Sequence, residues 1–183
     1  NQNSIMKNSI AAVTGGFGMV GSQIVDELVS AGWRVKILSR IERSSDSPNI
    51  TVIRSDINDP LGLKILLEDV DAIFHCAAEL NDKKKMYLTN VEGTETLLSV
   101  AAQTKASFFC LISSAGVVSA SFPSLITEET NCNPQNIYEQ TKYESELLVK
   151  KANLKMSVCI LRPTNIVSSL KPGVVLLPIL NGW

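Results

Sequence analysis

Thr14-Gly15-Gly16-Phe17-Gly18-Met19-Val20-Gly21 is the stretch on which the fold turns. Before it stands a short apolar run, Ser9 to Thr14, which suits a strand buried on both faces of a parallel sheet. After it Val20, Ile24, Val25, Leu28 and Val29 recur at helical spacing, with Gly32 placed to end the helix. In a strand-to-helix junction glycines permit a tight turn and let the backbone approach a pyrophosphate. The charge is then met by free N–H groups and the positive end of the helix. Gly15, Phe17, Gly18, Met19, Val20 and Gly21 are therefore candidate dinucleotide contacts.

Outward from this junction the alternation continues. Arg34 to Leu38 and Ile50 to Arg54 read as strands separated by the polar loop Ser44-Ser45-Asp46-Ser47-Pro48. Leu61 to Leu67 reads as a helix and Ala72 to Ala77 as another buried strand. Val91, Leu97, Leu98, Ala101 and Ala102 mark one face of the next helix, and Phe108 to Ile112 a strand. Tyr138 to Lys151 is a long helix with Leu147 and Leu148 inward, and Ser157 to Leu161 is a strand stopped by Pro163. Six parallel strands alternating with helices predict an α/β chain, a doubly wound parallel sheet with helices on both faces. There is no internal repeat, low-complexity tract or domain linker.

Bulk properties narrow the function classes. At 183 residues and 45% hydrophobic content the chain buries one substantial core. A formal net charge of -1 supplies no general reason to bind nucleic acid or an anionic membrane. Lys83-Lys84-Lys85 reads as a solvated loop. The longest apolar runs, such as Val174 to Leu177, fall far short of the roughly 20 residues of a membrane-spanning helix. Cys76, Cys110, Cys132 and Cys159 show no metal-ligand spacing. No metal is expected, and the cysteines read as reduced, mostly buried thiols of a soluble cytoplasmic protein.

The second strand leads into Ser39-Arg40, with Arg43 close by, where a ribose 2′-hydroxyl is usually held by an acid. A 2′-phosphate suits Arg40 better, which favours NADP slightly over NAD; a solvated charge beside the site is the alternative. Asp56-Ile57 falls where an adenine would meet a carboxylate and an apolar contact, although Asp56 also suits a turn or cap ahead of Pro60. Tyr138 and Lys142 lie one helical turn apart on one face. A tyrosine of pKa about 10 is a poor base near neutrality, and an adjacent ammonium lowers that value. The phenol then exchanges a proton with a substrate oxygen while a nicotinamide exchanges a hydride. Ser114, just past the strand Phe108 to Ile112, is placed to donate a hydrogen bond to the same oxygen.

Further motifs follow in order: His75-Cys76-Ala77-Ala78, Asn90-Val91-Glu92-Gly93-Thr94 at a helix start, Ser113-Ser114-Ala115, Tyr138-Glu139-Gln140-Thr141-Lys142, and Leu161-Arg162-Pro163-Thr164-Asn165. With the glycine run they resemble the extended short-chain dehydrogenase/reductase family, which includes NAD(P)-dependent sugar epimerases and dehydratases. The resemblance runs from Val13 to about Asn165 and implies a Rossmann-type domain over residues 9–170, after an extension at 1–8. It implies Tyr138 as catalytic acid or base, Lys142 as the group that lowers its pKa and holds the nicotinamide ribose, and Ser114 as the residue orienting the substrate, with Ser113 as fallback. Cys76, Ala77, Ala78, Asn90, Pro163 and Thr164 would line the cofactor and Asn165 would face the substrate. His75 matches a structural position.

Two departures shape the expectation. Sugar dehydratases of this family carry acids just after the catalytic Ser/Thr, where this chain has Ala115 and Gly116, so dehydration is disfavoured. Extended members also continue into a substrate-binding subdomain, which is missing here; residues 171–183 read as the start of that segment, and the chain as a fragment with poor turnover. The expected activity is NAD(P)-dependent oxidoreduction or epimerisation at a hydroxyl/carbonyl carbon, as of a nucleotide sugar. The alternatives are an NADPH-dependent reductase of an apolar hydroxy-ketone and a non-catalytic dinucleotide-binding module. The resemblance further implies a homodimer through a helix pair that includes Tyr138 to Lys151.

Overall fold

Short β-branched and aliphatic runs, most of them followed by a helix, favour parallel pairing, because a crossover returns the chain to the same end of the sheet; a loop, not a helix, joins the second strand to the third. The computed structural model describes residues 9–118 and 125–164. Its strands are β1 (Ile10–Thr14), β2 (Arg34–Ser39), β3 (Ile50–Arg54), β4 (Ala72–His75), β5 (Phe108–Ile112) and β6 (Ser157–Leu161). They form one parallel sheet in the order β3-β2-β1-β4-β5-β6. This is the Rossmann-type arrangement, and the order reverses between β1 and β4. A ligand crevice opens at such a reversal, outside the carboxyl ends of the strands. The extension at 1–8, Asn165 and the segment 171–183 lie outside the described residues.

Side chains alternate between two buried faces. Ala12, Leu38, Ile73, Phe109 and Leu111 face a core completed by α2 (Pro60–Leu67), α4 (Gly93–Ala101) and α5 (Ile137–Lys151). Val13, Val35 and Ile37 face Val25 of α1 (Met19–Ser30) on the other side. Asp59 caps α2 by accepting from Leu61 N at 3.0 Å, with Pro60 in the first turn, where its missing N–H costs nothing. Among the described residues no helix is long and apolar enough to cross a membrane.

Four local expectations need correction. Strand β4 ends at His75 rather than Ala77, because the Ala77 N–H leaves the ladder to meet Thr14 Oγ1 at 3.2 Å. Lys83-Lys84-Lys85 is helical, not a loop: Asp82 accepts from Lys84 N and caps α3 (Lys83–Met86). The helix assigned to begin near Asn90 thus begins at Lys83, and a π turn, Tyr87–Glu92, joins α3 to α4. That turn interrupts the apolar period, which hides the earlier start. Leu147 points outward, 45% exposed, while Val149 is buried. The inner stripe of α5 is Thr141, Lys142, Ser145, Glu146 and Val149, so polar residues mark the buried face and apolar periodicity misreads it.

Candidate active site

A cleft of about 300 Å³ opens at the reversal of strand order. Its floor is backbone. Gly15 has φ +67, and a Cβ there would lie 2.7 Å from Ala77 N, so only glycine lets the two loops meet. A Cβ on Gly21 would collide with Gly15 O. Gly18 N donates to Gly15 O at 2.9 Å and ends the turn. The N-terminus of α1 has no side-chain cap and no acid in its first turn. Free N–H groups and a positive helix end beside a cradle that a Cβ would fill suit a pyrophosphate.

The outer wall is made at the ends of β2 and β3. Ser39 Oγ donates to Ile41 O at 2.7 Å, which folds the chain back so that Arg40 and Arg43 both line the cleft. The Arg43 guanidinium sits 4.7 Å from the centre of the Phe17 ring, a cation–π contact across the mouth. Asp56 accepts from Asn58 N at 2.9 Å and lines the cleft with Ile57. The cap ahead of Pro60 is Asp59, not Asp56.

Tyr138 and Lys142 stand on α5 and, like Ser114, are not among the residues that line this cleft; Lys142 acts on Cys76 of its wall. Asn136 accepts from Glu139 N at 2.9 Å, and Glu139 Oε2 accepts from Gln135 N at 2.7 Å, a reciprocal cap that fixes the turn carrying Tyr138. Lys142 is 2% exposed, and burial pulls its ammonium down to about 8 against the opposing pull of Cys76 and Glu146. Burial pushes the Tyr138 phenol above its ordinary value, the reverse of the lowering expected from the sequence. The ammonium of Lys142 acts on Cys76, His75 and Glu146, and desolvation governs the phenol. Burial also pushes the Cys76 thiol up to about 12, which leaves it an inert wall.

The two serines differ in what they have left to give. Ser113 is buried and donates to Glu146 Oε1 at 2.5 Å. Ser114 Oγ accepts from Gly116 N at 3.1 Å, so its proton has no acceptor among the described residues. Glu146 also accepts from Arg162 Nε at 2.9 Å and Nη2 at 2.7 Å. Ser113 N donates to Leu161 O and Ala115 N to Pro163 O, at 2.7 and 2.9 Å, which brings the end of β6 beside the serine turn.

This chain matches the NAD dependent epimerase/dehydratase family over residues 11–175. It belongs to that family. The sterol-4-alpha-carboxylate 3-dehydrogenase, decarboxylating, of Dictyostelium discoideum is 36% identical over 123 residues, covering 62% of this chain and 37% of that protein. The UDP-glucose 4-epimerase of Lactobacillus helveticus is 31% identical over 152 residues, covering 77% of this chain and 46% of that enzyme. A short-chain dehydrogenase/reductase superfamily protein from Agrobacterium tumefaciens, solved with bound NAD, superposes with a TM-score of 0.75 at 28% identity, covering 84% of this chain and 48% of that one. The chain thus spans no more than about half of these proteins.

Within this epimerase/dehydratase domain Gly15, Phe17, Gly18, Ser39, Arg40, Asp56, Ile57, Cys76, Ala77 and Ala78 line the cleft together. Met19, Val20 and Gly21 form the first turn of α1 beneath it. Asn90 is buried behind it, with its side chain engaged by Glu79 N, Glu79 O and Thr141 Oγ1. Pro163 adjoins the serine turn, and Thr164 lines a second cavity of about 640 Å³ with Ala115 and Arg162. Leu38, Ile41, Ser55 and Thr89 also line the cleft and were not anticipated. Ile41 follows Arg40 in the same turn, a signal that was legible; Thr89 arrives through the π turn, which no local pattern announces. Glu139 was missed as well. Its carboxylate fills the space beside Gly116, where a Cβ would lie 2.9 Å from Oε1.

Proposed function

We propose that the protein is an NAD(P)-dependent oxidoreductase or epimerase acting at a hydroxyl/carbonyl carbon of a nucleotide sugar. What supports this is a glycine cradle under an uncapped helix at the reversal of strand order, with the buried Lys142 acting on Cys76 of the cleft wall and the partly buried Tyr138 one helical turn before it on α5. Gly15, Gly18 and the first turn of α1 bind the pyrophosphate. Arg40, with Arg43, favours a 2′-phosphate and so NADP. When bound, the nicotinamide supplies or accepts the hydride. Tyr138, its phenol held protonated by burial, gives its proton to the substrate oxygen in the reductive direction. Lys142, still cationic below pH of about 8, would hold the nicotinamide ribose and stabilise the phenolate left behind. Ser114 donates its free hydroxyl proton to the same oxygen, and Asn165 is assigned to the substrate side. Exposed Leu147, Tyr87 and Leu88, on α5 and the π turn packed against it, support a homodimer through these helices.

A second reading, reduction of an apolar hydroxy-ketone, is favoured by the likeness to a sterol carboxylate dehydrogenase. Turnover assays of the full-length protein with NADPH or NADH separate the two. Conversion of UDP-glucose, abolished in Tyr138→Phe, supports the nucleotide-sugar reading; turnover of a 3-ketosteroid without conversion of any UDP-sugar selects the second. Cofactor binding with neither conversion points to a non-catalytic dinucleotide-binding module.

A further inference from the structure

The single histidine of the chain is buried between two threonines, and the direction of every hydrogen bond around it follows from which groups have protons to give. Thr94 Oγ1 lies 2.5 Å from Asn90 O, and a carbonyl only accepts, so the Thr94 proton is committed there. Thr94 Oγ1 therefore accepts from His75 Nε2, 2.8 Å away, and Nε2 carries the ring proton. Nδ1 is then a bare acceptor, which takes the Thr14 hydroxyl proton at 2.7 Å. Thr14 Oγ1 in turn accepts from Ala77 N at 3.2 Å. Donors run one way from Ala77, on the wall of the cleft, through Thr14, His75 and Thr94 to the Asn90 carbonyl.

That carbonyl is where the chain of bonds meets α5. Ser145 Oγ lies 2.6 Å from Asn90 O, and Asn90 Nδ2 donates to Thr141 Oγ1 at 2.9 Å. Thr141 Oγ1 donates to Tyr138 O at 2.9 Å. Thr14, His75, Asn90, Thr94, Thr141 and Ser145 are all buried, so none of these bonds has water as a substitute. The network passes through the π turn, a distortion that recurs at functional positions.

We propose that His75 is a positioning residue, locked as the Nε2–H tautomer, through which the strand of the glycine loop fixes the helix carrying Tyr138 and Lys142. The proposal rests on the reading of Tyr138 and Lys142 as the reactive pair. Charge is excluded from the ring: burial, and then the ammonium of Lys142, hold His75 down to about 3. Its role is geometric, not acid–base.

The test is long-range proton–nitrogen NMR of the one histidine ring, with amide hydrogen exchange over Ile137–Lys151, in the wild type, Thr94→Ser and Thr94→Val. The expected wild-type ring is neutral with the proton on Nε2. Thr94→Ser keeps that signature and the exchange protection of α5. Thr94→Val removes the acceptor, shifts the ring toward Nδ1–H, and speeds exchange in the first turns of α5 about tenfold. A wild-type ring that is Nδ1–H or protonated overturns the proposal, as does unchanged exchange in a folded Thr94→Val. NADH titration of the same samples is read separately: absent binding with the ring and exchange results intact removes the dinucleotide reading and leaves the relay in place.

Discussion

The two halves of the site are built by different means. On the side of β1, β2 and β3 the surface is backbone brought close to backbone, with Gly15 against Ala77 and Gly21 against Gly15, and its apolar support on the α1 face is small. On the side of α5 the surface is held by buried side chains bonded to one another: Ser113 and Arg162 to Glu146, and Asn90 to Thr141. The first half fails when atoms are added, since there is no room for a Cβ. The second fails when atoms are removed, since each loss leaves a partner unsatisfied in the interior. Recognition of a pyrophosphate needs only N–H groups and space, whereas placing a phenol and an ammonium needs fixed side chains.

The largest expected effect lies on the side-chain half. Glu146→Ala strands a partly buried guanidinium and the buried Ser113, and is expected to cost about 3–5 kcal/mol in urea unfolding. Burial alone would raise the Glu146 carboxyl, but its bonds from Arg162 and Ser113 outweigh this and hold it below the usual value. The pair therefore stabilises the fold above the unfolded carboxylate pKa of about 4.3, and that contribution fades as pH falls through the lower folded value. A loss near 1 kcal/mol or less would reduce the network to ordinary surface polarity.

Lys142→Met sharpens the contrast with the opposite sign. The folded ammonium sits at about 8 against an unfolded value near 10.4. Below pH of about 8 both states are protonated and the full cost of burying the charge is present; the cost fades as pH rises toward 10.4. At pH 7 the substitution is expected to raise stability by up to about 3 kcal/mol in thermal and urea unfolding, and to abolish turnover. Destabilisation would mean that the ammonium is held by partners strong enough to repay its burial.

On the backbone half, Gly21→Ala is expected to cost about 1–3 kcal/mol by overpacking and to weaken NADH binding with it. The smallest effect belongs to the rim. Arg40→Ala is expected to weaken NADPH about tenfold while leaving NADH within about twofold, because only the 2′-phosphate meets the guanidinium. Equal effects on both cofactors would make Arg40 a bystander.

The same division decides what the residues disclose in advance. The glycine spacing, the strand before it and the helix after it are local, so the first strand–helix unit and the floor of the cleft were legible from residues 9–32. Tyr138 and Lys142 were legible as a one-turn pair. The direction of the Tyr138 shift was not, because desolvation depends on what packs over the helix. The stripe of α5 was misjudged at Leu147 because its inward positions are Lys142, Ser145 and Glu146; Ser145 and Glu146 are compensated by Asn90 and by Ser113 and Arg162, far along the chain. The helical start at Lys83 was hidden by the π turn, which breaks the period that identifies helices.

The most direct test of the nicotinamide site is a fluorescence titration with NADPH and NADH of the wild type, Gly15→Val and Tyr138→Phe. Saturable binding to the wild type, lost in Gly15→Val and retained in Tyr138→Phe, is the expected result. Absence of binding to a folded wild type, or binding that survives a side chain at Gly15, would contradict it.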